Sequence, residues 1–247
     1  MAIEAGTSTY YQAKRGIVQD GLVLHLDAGV KESYSGGTTW SDLSGNGYNG
    51  SAYNGASYTK VKGGSFSFDG SNDYIHINSP SDRFAWTPSG NGLNTMSIEL
   101  WLKSGDTDGQ FLSKPWNGQG YYNIRISHSY FRLLATQFFE VYYPTIATNN
   151  WENIVCIATP TQVAVYKHGS IVVNFTNHNI TGNTPGGTGN NNLALSLMTL
   201  YPYGSYEWSQ PTHAMSGNLS ICRIYNKVLS ADEVSRNYNS TRHRFGL

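Results

Sequence analysis

Acidic side chains are the first candidates for chemistry in this sequence, because hydrolysis of a glycosidic bond needs carboxylates in pairs. A glycosidase places one carboxyl group as acid and a second as nucleophile or base on the two sides of the bond. Glu99 stands alone in a strand-like stretch and is followed by Leu100 and Trp101. No Glu-x-Asp-x-Glu triplet occurs anywhere in the chain. We therefore expect a protein without enzymatic activity.

Aspartates at predicted strand ends raise the question of a metal site. Asp27, Asp69 and Asp73 are candidate Ca²⁺ ligands, since this hard cation takes several oxygen donors from loops. The alternative is that Asp69 and Asp73 only cap the turn between two strands. Asp106 and Asp108 form a second acidic pair, which we expect in a solvated turn. No cofactor is expected to be required, and Ca²⁺ is the one candidate ion.

Histidine and cysteine do not form a zinc pattern. The seven His residues show no His-x-x-x-His spacing, and the two Cys residues are far apart in the sequence. Cys156 and Cys222 lie in apolar strand patterns, where a free cysteine behaves as a small buried hydrophobe. His25 and His76 alternate with apolar neighbours, so we expect them on the surface or on a sheet face.

Two aromatic, amide-rich loops are the candidate binding sites. Aromatic rings can stack on sugar rings while amides bond hydroxyl groups, and exposed aromatics also anchor protein interfaces. These residues alone leave carbohydrate and protein ligands open, with protein contact favoured. The candidate residues are Trp116, Asn117 and Tyr121 in the first loop and Tyr203, Tyr206 and Trp208 in the second.

Composition excludes several classes of protein. Lys plus Arg and Asp plus Glu are equal at 16 each, so a nucleic-acid partner, which favours a basic excess, is not expected. No apolar stretch reaches the roughly 20 residues that span a bilayer, and the N-terminal residues do not resemble a secretory signal. We expect a cytoplasmic site of synthesis and assembly and no membrane partner.

Short alternating segments separated by turn residues predict an all-β protein. About a dozen of them fit a two-sheet antiparallel β-sandwich with one short C-terminal helix, which begins at the capping-box pair Ser230 and Glu233. We expect an N-terminal arm at 1–19, one domain at 20–240 and a tail at 241–247, with long loops at 35–55, 78–95 and 177–192. The predicted strands are 22–27, 65–68, 74–77, 97–103, 121–127, 130–135, 138–143, 151–158, 163–166, 171–175, 193–200 and 219–225.

Six blocks in a fixed order resemble the laminin-G-like, concanavalin A-like jelly-roll domains, over about residues 20–239. The resemblance implies a sandwich used for recognition of sugars or proteins, or for adhesion between assembled particles. Trp101 and Trp151 suit the space between the sheets of such a fold. The blocks are GLVLHLDA at 21–28, WSDLSGNGYNG at 40–50, FDGSNDYI at 68–75, SIELW at 97–101, NWENIV at 150–155 and GNLSICRIYNKVLS at 217–230.

A narrower resemblance combines the segment at 19–28 with the C-terminal residues 244–247. Together they are similar to virion proteins of tailed bacteriophages, which carry this domain on the head or tail exterior. The expected function is then a non-enzymatic virion structural or decoration protein. It would bind neighbouring virion proteins through the arm, form a homo-oligomer or symmetric assembly, and bind a host-surface glycan. The alternative is a free-standing, lectin-like carbohydrate-binding module.

Overall fold

The computed structural model describes residues 16–79, 83–84, 93–115, 122–134, 138–176, 195–199 and 214–247. Two antiparallel β-sheets account for nearly half of these residues, and the main apolar core contains side chains from both sheets. The predicted fold class, a two-sheet antiparallel β-sandwich, is thereby confirmed.

One sheet, called the back sheet, has eight strands within the described ranges. They are β1 (Leu22–Asp27), β4 (Ser57–Thr59), β5 (Ser65–Asp69), β7 (Met96–Lys103), β12 (Trp151–Ala158), β13 (Gln162–Lys167), β14 (Ser170–Thr176) and β16 (Ser216–Tyr225). The order across the sheet is β14-β13-β12-β7-β16-β5-β4. Because β16 is ten residues long, it pairs with β5 along its first part and with β1 along its second.

The other sheet, called the front sheet, also has eight described strands. They are β2 (Thr39–Trp40), β3 (Gly50–Tyr53), β6 (Tyr74–Ile77), β8 (Leu112–Pro115), β9 (Tyr122–Ile126), β10 (Tyr130–Leu134), β11 (Phe138–Tyr142) and β15 (Leu195–Leu197). The order across the sheet is β11-β10-β9-β8-β15-β6-β3-β2. Strands β2, β3, β4 and β8 were not predicted, and the first two lie inside the predicted loop at 35–55.

Alternation along the central strand β7 separates the two faces of the back sheet. Ile98, Leu100 and Leu102 join the core between the sheets, because successive side chains of a strand point to opposite faces. Trp101 instead packs with Trp151 in a separate apolar cluster on the outer face. The expectation that these two tryptophans fill the space between the sheets is wrong. Large apolar side chains are also buried on the outer face here, because a helix covers it.

The C-terminal helix α1 spans Ala231–Thr241 and begins with the predicted capping box. The Ser230 side chain accepts a hydrogen bond from the Glu233 amide, and the Glu233 carboxylate accepts one from the Ser230 amide. The helix has 11 residues, so the predicted short C-terminal helix is confirmed. A 3-10 turn, Arg242–Arg244, follows it. Within the described residues no helix is long and apolar enough to cross a membrane.

The hairpin between β13 and β14 turns at His168 and Gly169. Both residues have positive φ angles, 51° and 75°, which is the backbone pattern of a two-residue type I′ hairpin turn. Glycine takes this conformation freely, whereas His168 is held in it by its ring contacts. Its Nε2 lies 2.7 Å from Glu152 Oε2, and its ring stacks on that of Tyr238 in α1.

Candidate functional site

The outer face of the front sheet, called the front face, carries a continuous row of polar side chains. Cross-strand partners share a face, so the register of the sheet brings together residues from eight strands that are far apart in sequence. Along the same strands the intervening residues, such as Ile75, Ile126 and Leu133, are fully buried in the core. The row runs Thr39, Ser51, His76, Ser196, Ser113, Arg125, Arg132, Glu140.

The middle of this row is buried. Ser113 and Ser196 have no exposed surface, and the Ser113 hydroxyl donates a 2.8 Å hydrogen bond to the carbonyl oxygen of Thr199. Met198, just before Thr199, has a positive φ angle of 64°, so the chain bends sharply as it leaves β15.

Tyrosine pairs flank the polar row at both ends. On β3 and β6, the rings of Tyr53 and Tyr74 stack in parallel with their centroids 4.9 Å apart. On β10 and β11, Tyr130 and Tyr142 meet edge to face at 6.3 Å. Tyr53 is 42% and Tyr142 67% exposed, so both offer ring surface to a ligand. The strand order puts the two pairs roughly 20–25 Å apart at about 4.8 Å per strand.

One end of the row is basic. Arg125 on β9 and Arg132 on β10 are direct cross-strand partners, and both guanidinium groups lie within 6 Å of the Tyr130 ring centroid, at 5.8 and 5.3 Å. Arg132 also forms an ion pair with Glu140 on β11. Among the described residues of the row, this end thus has two guanidinium groups and one carboxylate.

His76 lies near the other end of the row, between Ser51 and Ser196. Burial lowers the pKa of its imidazole below the ordinary value of 6.5, because desolvation disfavours the charged form. At neutral pH the ring is uncharged and can both donate and accept a hydrogen bond. The expectation that His76 lies on a sheet face agrees with the structure, whereas His25 is fully buried.

The candidate calcium ligand Asp27 is engaged by a cation of the chain itself. Arg244 Nη1 donates hydrogen bonds of 2.8 and 2.9 Å to its two carboxylate oxygens. Burial alone would raise the pKa of the Asp27 carboxyl, but the positive charges of Arg244, His25 and Arg223 hold that pKa below its ordinary value. Asp27 therefore acts here as the buried partner of an ion pair.

The structure brings Asp69 and Asp73 together at the turn between β5 and β6. Asp73 Oδ2 accepts a hydrogen bond from the Asp69 amide, and Asp69 Oδ1 accepts one from the Ser71 amide. These are the bonds of a capped turn, and burial raises the pKa of Asp73. No group of three His, Cys, Asp or Glu residues with metal-site geometry occurs in the described ranges. A Ca²⁺ site stays an untested prediction.

The Asp106–Asp108 turn lines an open polar depression of about 420 Å³ with Gly70 and Ser71. One carboxylate oxygen of Asp106 accepts a hydrogen bond from the Ser216 amide at the start of β16. Asp106 therefore helps to join this turn to the back sheet, while Asp108 is exposed to solvent, as predicted.

Glu99, the lone acidic residue of β7, is fully buried on the outer face of the back sheet. Its Oε1 is 3.1 Å from Arg223 Nη1 and 3.3 Å from Asn153 Nδ2, while Oε2 accepts a 3.0 Å hydrogen bond from Asn237. Helix α1 covers this network. A carboxylate so enclosed has no path to a substrate.

The six aromatic and amide residues predicted as binding sites lie outside the described residues. The structure neither supports nor contradicts Trp116, Asn117, Tyr121, Tyr203, Tyr206 and Trp208 as ligand contacts. Sequence analysis did not predict the front-face residues as ligand contacts. The alternation of β6, β9 and β10 does indicate that the side chains of His76, Arg125 and Arg132 point away from the core. Their proximity depends on strand register, which a single strand does not reveal.

No protein-family model and no curated protein sequence matches this chain. Solved structures do match its fold. The binding domain of Paraclostridial Mosquitocidal Protein 1 superimposes with a TM-score of 0.63 at 15% identity, over 90% of this chain and 52% of that one. The binding domain of botulinum neurotoxin DC in complex with SialylT gives 0.60 at 14% identity, over 90% and 52%. This chain thus spans about half the length of these toxin domains.

A third match covers both proteins almost completely. Domain 4 of AbnA, a GH43 extracellular arabinanase from Geobacillus stearothermophilus, in complex with arabinotriose, has a TM-score of 0.53 at 17% identity, over 88% of this chain and 98% of that domain. At such identities the likeness shows the fold alone. The class of protein is therefore a jelly-roll type β-sandwich whose structural neighbours are binding domains.

Proposed function

We propose that this protein is a non-catalytic recognition module that binds carbohydrate on its front face. This proposal depends on one observation: the polar row is buried at its middle, but a tyrosine pair lies at each end, and Tyr53 and Tyr142 of these pairs are exposed. Hydroxyl, imidazole and guanidinium groups can bond sugar hydroxyls, and tyrosine rings provide an apolar surface for a sugar ring. A few placed polar groups beside aromatic surface are typical of ligand sites.

The fold comparisons support this proposal at a coarse level. The arabinanase domain was solved with arabinotriose and matches nearly the whole of both chains. The toxin domain solved with SialylT is about twice as long as its matched part, so it gives weaker support. The arabinanase domain is therefore the stronger support for a carbohydrate ligand.

The described carboxylates support the non-catalytic part of the proposal. Glu99 and Asp27 are buried and paired with Arg223 and Arg244. Glu140, on the front face, is held by Arg132 and by the Tyr142 hydroxyl. A glycosidase needs two carboxyl groups about 5–10 Å apart on opposite sides of the bond, and the front-face row contains one.

We also propose that the module acts on the exterior of a tailed-phage particle, attached through its N-terminal arm. Residues 16–19, called the strap, pack against α1 on the side opposite the front face: Arg236 donates hydrogen bonds to the carbonyl oxygens of Gly16 and Ile17. An arm that leaves from this side would keep the front face accessible. The free-standing lectin-like module remains the alternative.

Glycan binding is tested with the purified full chain on an array of neutral and acidic oligosaccharides, followed by calorimetry. Tyr53→Ala, on the front face, is expected to weaken binding about tenfold, equivalent to about 1.4 kcal/mol. Val228→Ala, an exposed apolar residue just before α1, is the control and is expected to change nothing. Absence of glycan binding, or equal binding by Tyr53→Ala and the parent, would contradict the proposal.

The virion role needs its own experiment. Removal of residues 1–15 leaves the strap in place and is expected to abolish incorporation into particles while glycan binding persists. Normal incorporation of the truncated chain would favour the free-standing module.

A further inference from the structure

The end of the front face that β2, β3 and β6 form differs from the middle of the polar row in exposure. Thr39 on β2 and Tyr53 on β3 are exposed, and Ser51, the cross-strand partner of Thr39, is half-buried. In the middle of the row, Ser113 and Ser196 have no exposed surface. A ligand can therefore contact side chains along β3, whereas a path across the middle of the sheet offers it no hydroxyl group.

Tyr53 provides an apolar platform at this end. One face of its ring is stacked on Tyr74, with the centroids 4.9 Å apart and an angle of 7° between the ring planes. Tyr74 is only 8% exposed, so the stack is anchored in the sheet, while Tyr53 remains 42% exposed. A ring that is already held in place loses little conformational freedom when a sugar ring stacks on its open face.

Ser51 and Asn78 place polar groups beside this platform. Ser51 lies two positions before Tyr53 on the same face, about 6.6 Å away at about 3.3 Å per residue. Asn78 follows β6 and is exposed, and its Nδ2 donates a 3.0 Å hydrogen bond to Ser51 Oγ. The Ser51 hydroxyl still has its own proton to donate, and the Asn78 side-chain oxygen can accept. A donor and an acceptor side by side match two adjacent hydroxyl groups of a sugar.

This end of the front face carries no charge among its described side chains. Burial lowers the pKa of the His76 imidazole, so the ring is neutral at neutral pH. Along the row, the first charged side chain is Arg125 on β9, four strands from β3 and roughly 19 Å away at about 4.8 Å per strand. A carboxylate bound here would lose hydration without gaining a cation, which is unfavourable. The uncharged side chains that β2, β3 and β6 present are Thr39, Ser51, Tyr53, Tyr74 and His76.

We propose that the ligand of the front face is a neutral saccharide that lies along β3. One sugar ring stacks on Tyr53, and the next unit bonds through two adjacent hydroxyl groups to Ser51 and Asn78. This inference rests on the proposed function, because it names the ligand class and the position of the ligand on the same face.

Calorimetry on the full-length protein tests the ligand class with matched sugars: lactose with sialyllactose, and a neutral galactan oligosaccharide with the corresponding oligogalacturonate. The neutral member is expected to bind at least as tightly as the acidic one in each pair that binds. Tighter binding of the acidic members would overturn the inference that the ligand is neutral.

Asn78→Ala tests the position of the ligand and is expected to weaken binding about fivefold, because one hydrogen bond to the sugar is lost. Asn239→Ala is the matched control: Asn239 is an exposed asparagine of α1 whose Nδ2 also donates to a serine hydroxyl, that of Ser235, at 3.2 Å. It is expected to leave the affinity unchanged. Tyr142→Ala, at the other end of the sheet, is expected to weaken binding less than Tyr53→Ala does.

The failure of this inference differs from the failure of the proposed function. If a sugar binds but Asn78→Ala behaves like Asn239→Ala, or Tyr142→Ala weakens binding as much as Tyr53→Ala, the position along β3 is wrong and the recognition of carbohydrate stands. Absence of binding to every sugar would overturn the proposed function as well.

Discussion

The outer face of the back sheet lies beneath the helix, the strap and the C-terminal residues, whereas the outer face of the front sheet presents tyrosines to solvent at both ends. On the back sheet the buried charges are neutralised in pairs, Glu99 with Arg223 and Asp27 with Arg244. On the front sheet, two arginines share one row with a single glutamate.

The two sheets share an alternating pattern of apolar and polar residues but use their outer faces differently, the back sheet for stability and the front sheet for recognition. A strand buried on both faces contributes to stability with every residue, and a polar residue there must be fully hydrogen-bonded. The front-sheet strands also bury one face in the core, but near the two ends of the sheet the other face exposes Tyr53 and Tyr142, which are available for recognition. The back sheet therefore acts as the support and the front sheet as the candidate binding surface.

The largest effect is expected from breaking the buried ion pair of the back sheet. Arg223→Met leaves the Glu99 carboxylate buried without its cation and should lower the free energy of unfolding by about 3–5 kcal/mol. Arg132→Met breaks the half-exposed pair of the front sheet and should cost about 0–1 kcal/mol. Denaturation in urea measures both. The double variant Glu99→Gln/Arg223→Met should recover most of the lost free energy of unfolding. Similar losses in Arg223→Met and Arg132→Met would contradict the difference between the two sheets.

The aromatic residues of the two faces should differ nearly as much. Phe245 is stacked on Trp101 with ring centroids 4.1 Å apart and also contacts Trp151. Phe245→Ala should therefore destabilise the protein by about 3 kcal/mol. Tyr142→Ala on the front face should change stability by no more than about 0.5 kcal/mol. Thermal unfolding followed by tryptophan fluorescence tests this, and a large effect of Tyr142→Ala would show that the front face is also structural.

A smaller effect is expected where the strap joins the back sheet. Asn237 accepts a 2.8 Å hydrogen bond from the Val18 amide and donates to Glu99 and to the Tyr225 hydroxyl. Asn237→Ala should cost about 1–3 kcal/mol, because buried partners lose their bonds. Amide hydrogen exchange at Val18 should accelerate more than exchange at Ile75 in the front sheet. If exchange accelerated equally at both amides, the strap would unfold together with the rest of the protein and not by itself.

The smallest effect concerns pH and His76. Since burial holds its pKa below 6.5 in the folded protein, the unfolded chain takes up a proton that the folded protein does not as pH falls below about 6.5. Stability should therefore decline from this pH downwards, and His76→Gln should make the decline less steep. His243→Gln, at an exposed position, is the control. If the free energy of unfolding of His76→Gln depended on pH as steeply as that of the parent, His76 would be hydrated and its pKa would not be lowered by burial.

Local patterns predicted the fold class and several strands with the correct limits. Strands β1, β6 and β12 begin and end where the alternation does, because each has a buried face with apolar residues at every second position. The short strands β2 to β4 were missed, since two to four residues carry no measurable period. Trp101 was predicted between the sheets but lies on the outer face of the back sheet. Alternation shows that a strand has two faces, but it does not show which face packs against the other sheet.

The sequence by itself determined the alternation of the strands, the capping box of α1 and the positive-φ hairpin at Gly169, because each depends on residues within a few positions of one another. Only the tertiary structure decided which charges meet. Arg223 lies 124 positions from Glu99, and Arg244 lies 217 positions from Asp27. The front-face row has the same origin: it joins eight strands through their register, and register is set when the sheets pack, not by any one strand.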